Sequence, residues 1–528
     1  MSKAKRQLLK HRYHQAVWQE PLMYELGSPG ERGILPPVLE KEIREAVGDV
    51  VSLVPPGMIR KEPPRLPEVG QPQVVRHYIR LSQETSGYDT SNDIARGTST
   101  MKYSPKINER LANVPEILDL HPLQDESTVQ GILEIIYKLG ECLKEISGMD
   151  AFTCQPPSGS WGVFTNARML RAYQEERGLG LDKKDEIITT IFSHPCCHAV
   201  SAVAGYKLVT LYPDETGFPN LTNLKAAVSE RTAGMILGCP DDNGIYNPHV
   251  EAFCDTVHAV GGLCVLDQAN ANGVLGVCRA REAGFDMVHF NLHKTFSSPH
   301  GMAGPGSGPA GCTKELEKYL PVPMVAFDGK RYFLDYNRPH SIGKVSSFYG
   351  NVQVVLRAYC WIMSLGADGL RTVAETAVLN NKYLSKRLLS EVRGLAMGYP
   401  QNDKRLHEIR YSWERLKNET GVDTWSLFRR MADYGIGGYF ASHEPWVVPE
   451  PMTPEPTETF SKDDIDEFAE IVKQVAEEAY SDPHFVKAAP HKRAVHLTDD
   501  DRLHHFTQLA TTARAWYRKH RQSRGEKR

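Results

Sequence analysis

The sequence lacks the usual marks of several protein classes. No apolar run approaches the roughly 20 residues that cross a bilayer, so no membrane span and no membrane partner are expected. The ten cysteines contain no C-x-x-C pair and no cysteine–histidine zinc spacing; only Cys196 and Cys197 are adjacent. Thiols scattered in this way read as reduced cysteines of a cytoplasmic protein, with no metal expected. Neither sign of charge dominates: 62 basic and 65 acidic residues leave a net charge of −3. That balance offers no global field for nucleic acid or an anionic surface. The basic start, residues 1–18, lacks the apolar core of a secretory signal and reads as a solvated arm. The basic end, Arg514 to Arg528, reads as a flexible tail and not as a nucleic-acid contact. Internal repeats and low-complexity tracts are absent.

What is present is a long chain with ordinary composition, 528 residues of which 41% are hydrophobic, enough for several domains. Residues 1–125 are punctuated by Pro55, Pro56, Pro63, Pro64, Pro67 and Pro72, which predicts an extended segment wrapped around something larger. Residues 126–370 read as a large α/β domain. It opens on a helix with capping-box spacing at Ser127 and Gln130, followed by Val129, Ile132, Leu133, Ile136, Leu139, Leu143 and Ile146 at helical period. Short, nearly continuous apolar runs then predict strands at Glu186–Phe192, Lys207–Tyr212, Gly234–Cys239, Gly262–Asp267 and Met287–Asn291. Helical patterns at Leu221–Arg231 and Val250–Val260 lie between them, so the sheet is expected to be parallel. The helix Asn351–Leu365 leads out of this domain. Residues 371–489 read as a smaller α+β domain whose last helix is capped by Ser461 and Asp464, and residues 490–528 as the basic tail.

Chemistry concentrates at Asn291–Gly301. Lys294 follows a predicted strand, at the carboxyl end where open α/β sheets place ligands. Behind it Gly301, Gly304, Gly306 and Gly308 allow close backbone approach. On its own, a lysine before such a loop is a surface residue. A second apolar strand ends near Asp267, and this lysine–aspartate pair is what a pyridoxal enzyme requires: an amine to hold the aldehyde and a carboxylate to keep the pyridine nitrogen protonated. An isolated aspartate at a strand end is more often a cap or turn residue. His194 follows another strand and could lie on the cofactor's face. Ser158-Gly159-Ser160 precedes a helical run through Arg168, Leu170 and Tyr173, where free N–H groups could meet a phosphate.

At these residues the chain resembles the catalytic subunit of two-subunit glycine decarboxylases. That family's lysine motif usually reads NLHKTFSTPHGGGGPGSGP; here it reads NLHKTFSSPHGMAGPGSGP. Further likeness runs through YELGSPGERG at residues 24–33, HPLQDESTVQG at 121–131, YFLDYNRPHSIG at 332–343 and EPTETFSK at 455–462. The resemblance implies fold type I, the aspartate-aminotransferase-like fold, with pyridoxal 5'-phosphate as cofactor. By it, Lys294 is the Schiff-base lysine, Asp267 the pyridinium partner and His194 the stacking histidine, these three being the catalytic residues. Ser158, Gly159 and Ser160 cradle the phosphate, and Ala269, His293 and Thr295 join the cofactor-binding set.

The implied activity is decarboxylation of glycine with transfer of the aminomethyl group to the lipoyl arm of a carrier H-protein. A subunit-1-type partner is implied, with a homodimer as the alternative. The chain departs from the family at Asn92–Ser99, Trp161–Val163, Pro195–His198, Pro240–Gly244 and Gly437–Phe440, on the substrate side. Two other readings therefore stay open: a related pyridoxal enzyme acting on another amino acid or amine, and a non-catalytic structural subunit. Retention of Lys294 and Asp267 argues against the second.

Overall fold

The computed structural model describes residues 13–62, 64, 66–85, 94, 102–300, 305–436, 442–495 and 497. The first twelve residues of the basic arm, the basic end from Arg514, Gly301–Gly304, Gly437–Phe440 and, apart from Ile94, the segment Asn92–Ser99 lie outside them. Seven strands form the central sheet: β1 (Ala151–Thr153), β2 (Glu186–Thr190), β3 (Lys207–Leu211), β4 (Thr232–Gly238), β5 (Leu263–Gln268), β6 (Met287–Phe290) and β7 (Ala310–Cys312). Their order is β1-β7-β6-β5-β4-β2-β3. β7 is antiparallel to both neighbours, and the ladders from β6 through β3 are parallel. The five predicted strands are all present, each within two residues of its expected ends.

The strands are apolar throughout because both faces are covered. Side chains alternate across a strand, and here the alternation feeds two cores. Ile188, Met235, Cys264 and Val288 pack with Leu133, Leu139 and Phe253 on one side. Ile187, Ile236, Val265 and Met287 pack with Val163, Ala167 and Leu170 of the helix Gly159–Glu176 on the other. All eight strand residues are at most 1% exposed. At about 25 cal/mol per Å² of apolar surface, such burial is the main force holding the sheet between its helices.

Two local expectations are corrected. Ser127 and Gln130 do not form a capping box. Asp125 accepts the Ser127 N–H and caps a 3-10 turn at Glu126–Thr128, and the helix runs from Gln130 to Ser147. The Gln130 amide instead pairs with the backbone of Tyr332, accepting its N–H at 2.9 Å and donating to its carbonyl at 2.7 Å. Pro72 does not interrupt structure either. It lies in the first turn of the helix Gln71–Gln83, where a missing N–H costs nothing. The N-terminal segment is thus a series of short helices, including Lys41–Val47 and Lys106–Ala112, joined by extended stretches.

A 40-residue helix, Val352–Glu391, breaks at Gly366, which has φ 66°. Its first half packs on the sheet through Val354, Val355 and Trp361. Leu384 and Leu388 pack instead on a second core with Tyr411, Trp413, Leu427, Phe468 and Val472. That core underlies a small antiparallel sheet of β10 (Ala396–Met397), β11 (Tyr411–Ser412) and β12 (Pro451–Met452). The hairpin of β8 (Met324–Phe327) and β9 (Tyr332–Asp335) stands apart. The capping box of the helix Lys462–Ser481 is present at Ser461 and Asp464. Among the described residues no helix is long and apolar enough to cross a membrane.

Candidate functional site

Parallel strands carry their C-terminal ends to one edge of the sheet, and the loops leaving those ends converge there. A cleft of about 270 Å³ lies at this edge. Ser158, Gly159, Ser160, His194, Asp267, Ala269, His293 and Lys294 line it, together with Cys196, His289, Asn291 and His300. The structure therefore brings together eight of the nine expected residues. Thr295 is the exception. It is fully buried behind the cleft, where its Oγ1 accepts the Ala271 N–H at 2.8 Å. It ties the loop after β5 to the loop after β6.

Lys294 is 7% exposed, and its own N–H donates to the Asn291 carbonyl at 3.1 Å in a tight turn after β6. The turn continues through Ser297, which takes a left-handed backbone, φ 64°. Asp267, 8% exposed, is held on three sides. Its Oδ2 accepts the Cys197 S–H at 3.1 Å and its Oδ1 the Ala269 N–H at 3.1 Å, with His289 Nε2 3.3 Å from Oδ1. Burial alone would raise its pKa. The His289 and His194 imidazoles beside it, with the Cys197 and Ala269 bonds, outweigh burial and hold the carboxyl below its ordinary value. The Cys196 sulfur, burial and the Asp267 charge together keep Cys197 a protonated thiol.

His194 caps the helix Pro195–Val203, its Nδ1 accepting the Cys196 N–H at 3.1 Å. This bond fixes the ring's tilt. His443 meets it edge-on with centroids 5.4 Å apart. His293 accepts the Ser307 N–H at Nδ1, 3.3 Å, and stands 4.1 Å from the His300 ring. Burial first, then the charges of His300 and Lys294, push its pKa down to about 3, so the ring is neutral.

Ser158 is the N-cap of the 18-residue helix Gly159–Glu176, its Oγ accepting the Trp161 N–H at 3.3 Å. The first residues of that helix line the cleft, and a helix N-terminus is suited to an anion. The turn tolerates no added bulk. A Cβ at Gly308 would stand 2.1 Å from the Ser158 carbonyl oxygen, and one at Gly159 would meet the Asn291 amide at 2.5 Å.

Cys197, His289, Asn291 and His300 were not among the site residues expected from the sequence. His289 was open to inference, since Asp267 and His289 are direct register partners once β5 and β6 are paired in parallel. Trp161, in a segment expected on the substrate side, does not line the cleft: its ring packs edge-on against Phe164 and is 43% exposed. The helix turn directs that side chain outward while its N–H turns back to Ser158.

Comparison with known proteins gives the family and the fold. Residues 373–491 match the family model "Glycine dehydrogenase, C-terminal domain", and residues 165–303 match "Aminotransferase class-V". The chain is 45% identical over 493 residues to a probable glycine dehydrogenase (decarboxylating) subunit 2 of Pyrococcus horikoshii, covering 92% of this chain and 95% of the relative. A counterpart of the same description in Halalkalibacterium halodurans is 41% identical over 486 residues, 91% and 96% of the two chains. Among solved structures, an inhibitor-bound glycine decarboxylase (P-protein) of the glycine cleavage system superposes with TM-score 0.68 at 20% identity, over 84% of this chain and all of that one. A NifS-like protein gives 0.55 at 17% identity over 72% and 98%. These two structural likenesses carry the fold, which is fold type I.

Proposed function

The chain belongs to the glycine dehydrogenase (decarboxylating) subunit 2 family, and on that premise we propose that it decarboxylates glycine with pyridoxal 5'-phosphate held at Lys294. The observation that carries the reading is the meeting of a buried amine, a carboxylate kept ionised and the N-terminus of a long helix in one cleft. The residues present fit the cofactor. The turn at Ser158 is built by the close approach of Gly308 to the Ser158 carbonyl and of Gly159 to the Asn291 amide, and Asn291 Oδ1 is buried without a hydrogen-bond partner. When bound, pyridoxal phosphate supplies an aldehyde that condenses with amines and a ring that takes up the electron pair left as carbon dioxide departs.

The chain's own groups then have distinct tasks. Lys294 Nζ would be the amine that holds the cofactor's aldehyde. Asp267 keeps a negative charge where the ring nitrogen carries its proton, and Cys197, His289 and Ala269 fix that carboxylate. Ser158, Gly159 and Ser160 present N–H and hydroxyl donors to the phosphate. His194 supplies a flat face whose tilt is set by its bond to Cys196. Neutral His293 contributes no charge against Lys294. Positioning of this kind provides much of such a rate enhancement. The aminomethyl group that remains passes to the lipoyl disulfide of a carrier H-protein.

A second protein is also implied, because the relatives are subunit 2 of an enzyme with more than one subunit. The N-terminal segment supports a subunit-1-type partner. Ile34, Leu35, Val38, Leu53 and Met58 are each at least 75% exposed, an apolar surface of the kind that protein partners cover. A homodimer would cover the same surface. The deciding experiment is exchange of labelled bicarbonate into the carboxyl of glycine with lipoylated H-protein, with and without a candidate subunit 1. Exchange that prefers glycine over other amino acids supports the reading. Activity restricted to another amine overturns it.

A further inference from the structure

Outside the cleft, the small domain meets the loop after β5 at a group of charged side chains closed to solvent. His407 is 1% exposed, Glu408 2% and Glu455 0%. His407 Nε2 points between the two carboxylates, 3.5 Å from Glu408 Oε1 and 3.8 Å from Glu455 Oε1. One donor atom from each residue lies within 4.8 Å of the other two. Neither ring nitrogen of His407 has a hydrogen-bond partner, and Glu408 Oε2 has none. Buried polar groups are nearly always bonded, so orphans this deep call for a ligand.

We propose that His407, Glu408 and Glu455 form a buried site for one divalent first-row cation of the zinc class. One imidazole nitrogen with two carboxylate oxygens is a donor set that such ions take. Around zinc, with ligands at about 2.1 Å, two tetrahedral donors stand about 3.4 Å apart, close to the 3.5 and 3.8 Å found here. His407 Nε2, buried and facing both carboxylates without a hydrogen bond, is placed to serve as the imidazole donor.

Glu455 already has outer partners of the kind that orient a metal ligand. Glu455 accepts from Asn270 Nδ2 at 2.8 and 2.9 Å and from Asn272 Nδ2 at 2.7 Å. Lys102 is engaged with Glu458 at 2.7 Å, and Arg410 sits 3.6 Å from both Asp242 and Glu444. Asn270 lies three residues past Asp267, so the ion would pin the small domain to the loop that carries Asp267 and Ala269. The spacing rules that predicted no metal could not register this site, because its third ligand arrives from a distant part of the chain.

The test is the metal content of the purified full-length protein from zinc-supplemented culture, read by inductively coupled plasma mass spectrometry. Wild type should hold about one zinc per chain. Glu408→Gln and His407→Gln should each hold less than a tenth of that, while Cys196→Ser keeps it. A wild type without zinc, equal zinc in Glu408→Gln, or loss of zinc in Cys196→Ser, which would move the ion to the Cys196–Cys197–Asp267 group, overturns the proposal. Should the glutamine variants fail to fold, X-ray absorption at the zinc edge of wild type decides. Nitrogen and oxygen ligands support the site, and sulfur ligands overturn it.

Discussion

Asp267 and His289 stand opposite each other on neighbouring parallel strands, with His289 Nε2 3.3 Å from Asp267 Oδ1. The pair links fold to chemistry. Register sets the distance, the distance helps hold the carboxyl below its ordinary value, and in the proposed function that carboxylate would serve the ring nitrogen. Replacing Asp267 by Asn keeps the shape and removes the charge. We expect a loss of at least ~4 kcal/mol of transition-state stabilisation, roughly a thousandfold in rate. A near-normal rate in that variant would reduce Asp267 to a turn residue.

The same pair gives a pH prediction. A carboxyl held below its ordinary value acts fully above that value, and the contribution fades as pH falls through the folded value. Removing the His289 imidazole takes away the largest influence lowering Asp267, so its folded value rises. The acid limb of the kcat/KM profile of His289→Phe should therefore lie at higher pH than in wild type. Superimposable limbs would show that His289 does not tune the carboxyl.

Gly308→Ala tests the phosphate turn. Its Cβ would stand 2.1 Å from the Ser158 carbonyl oxygen, so the turn opening the helix Gly159–Glu176 has to shift. We expect cofactor affinity, followed by cofactor absorbance, to fall at least tenfold with the far-ultraviolet circular dichroism unchanged. Unchanged affinity would place the phosphate elsewhere.

Thr295→Val separates bracing from binding. It leaves the buried Ala271 N–H without its acceptor, at a cost of about 1–3 kcal/mol. The thermal midpoint should drop while cofactor absorbance at saturation is kept. Lost cofactor affinity at an unchanged midpoint would instead put Thr295 in the cleft.

Much of this was legible in the sequence, for identifiable reasons. Ile187–Ile188, Met235–Ile236 and Val265–Leu266 read as buried parallel strands because both members of each pair are apolar and each faces a different core. Lys294 and His194 were found because they follow such strands, and Asp267 because it lies at the end of one. Local pattern failed where a distant contact decided the outcome. Gln130 serves Tyr332 in place of a cap, Thr295 turns behind the cleft to Ala271, and Cys197 reaches Asp267 from the start of another helix. Pro72 looked like an interruption because a proline in a first turn and one in a loop carry the same local signal.

The most direct test of the account is borohydride reduction of the purified holoenzyme followed by peptide mass mapping. The account predicts one pyridoxyl adduct, on the peptide carrying Lys294, and none in Lys294→Ala. An adduct on any other lysine, or a glycine-decarboxylating protein with none, would contradict it.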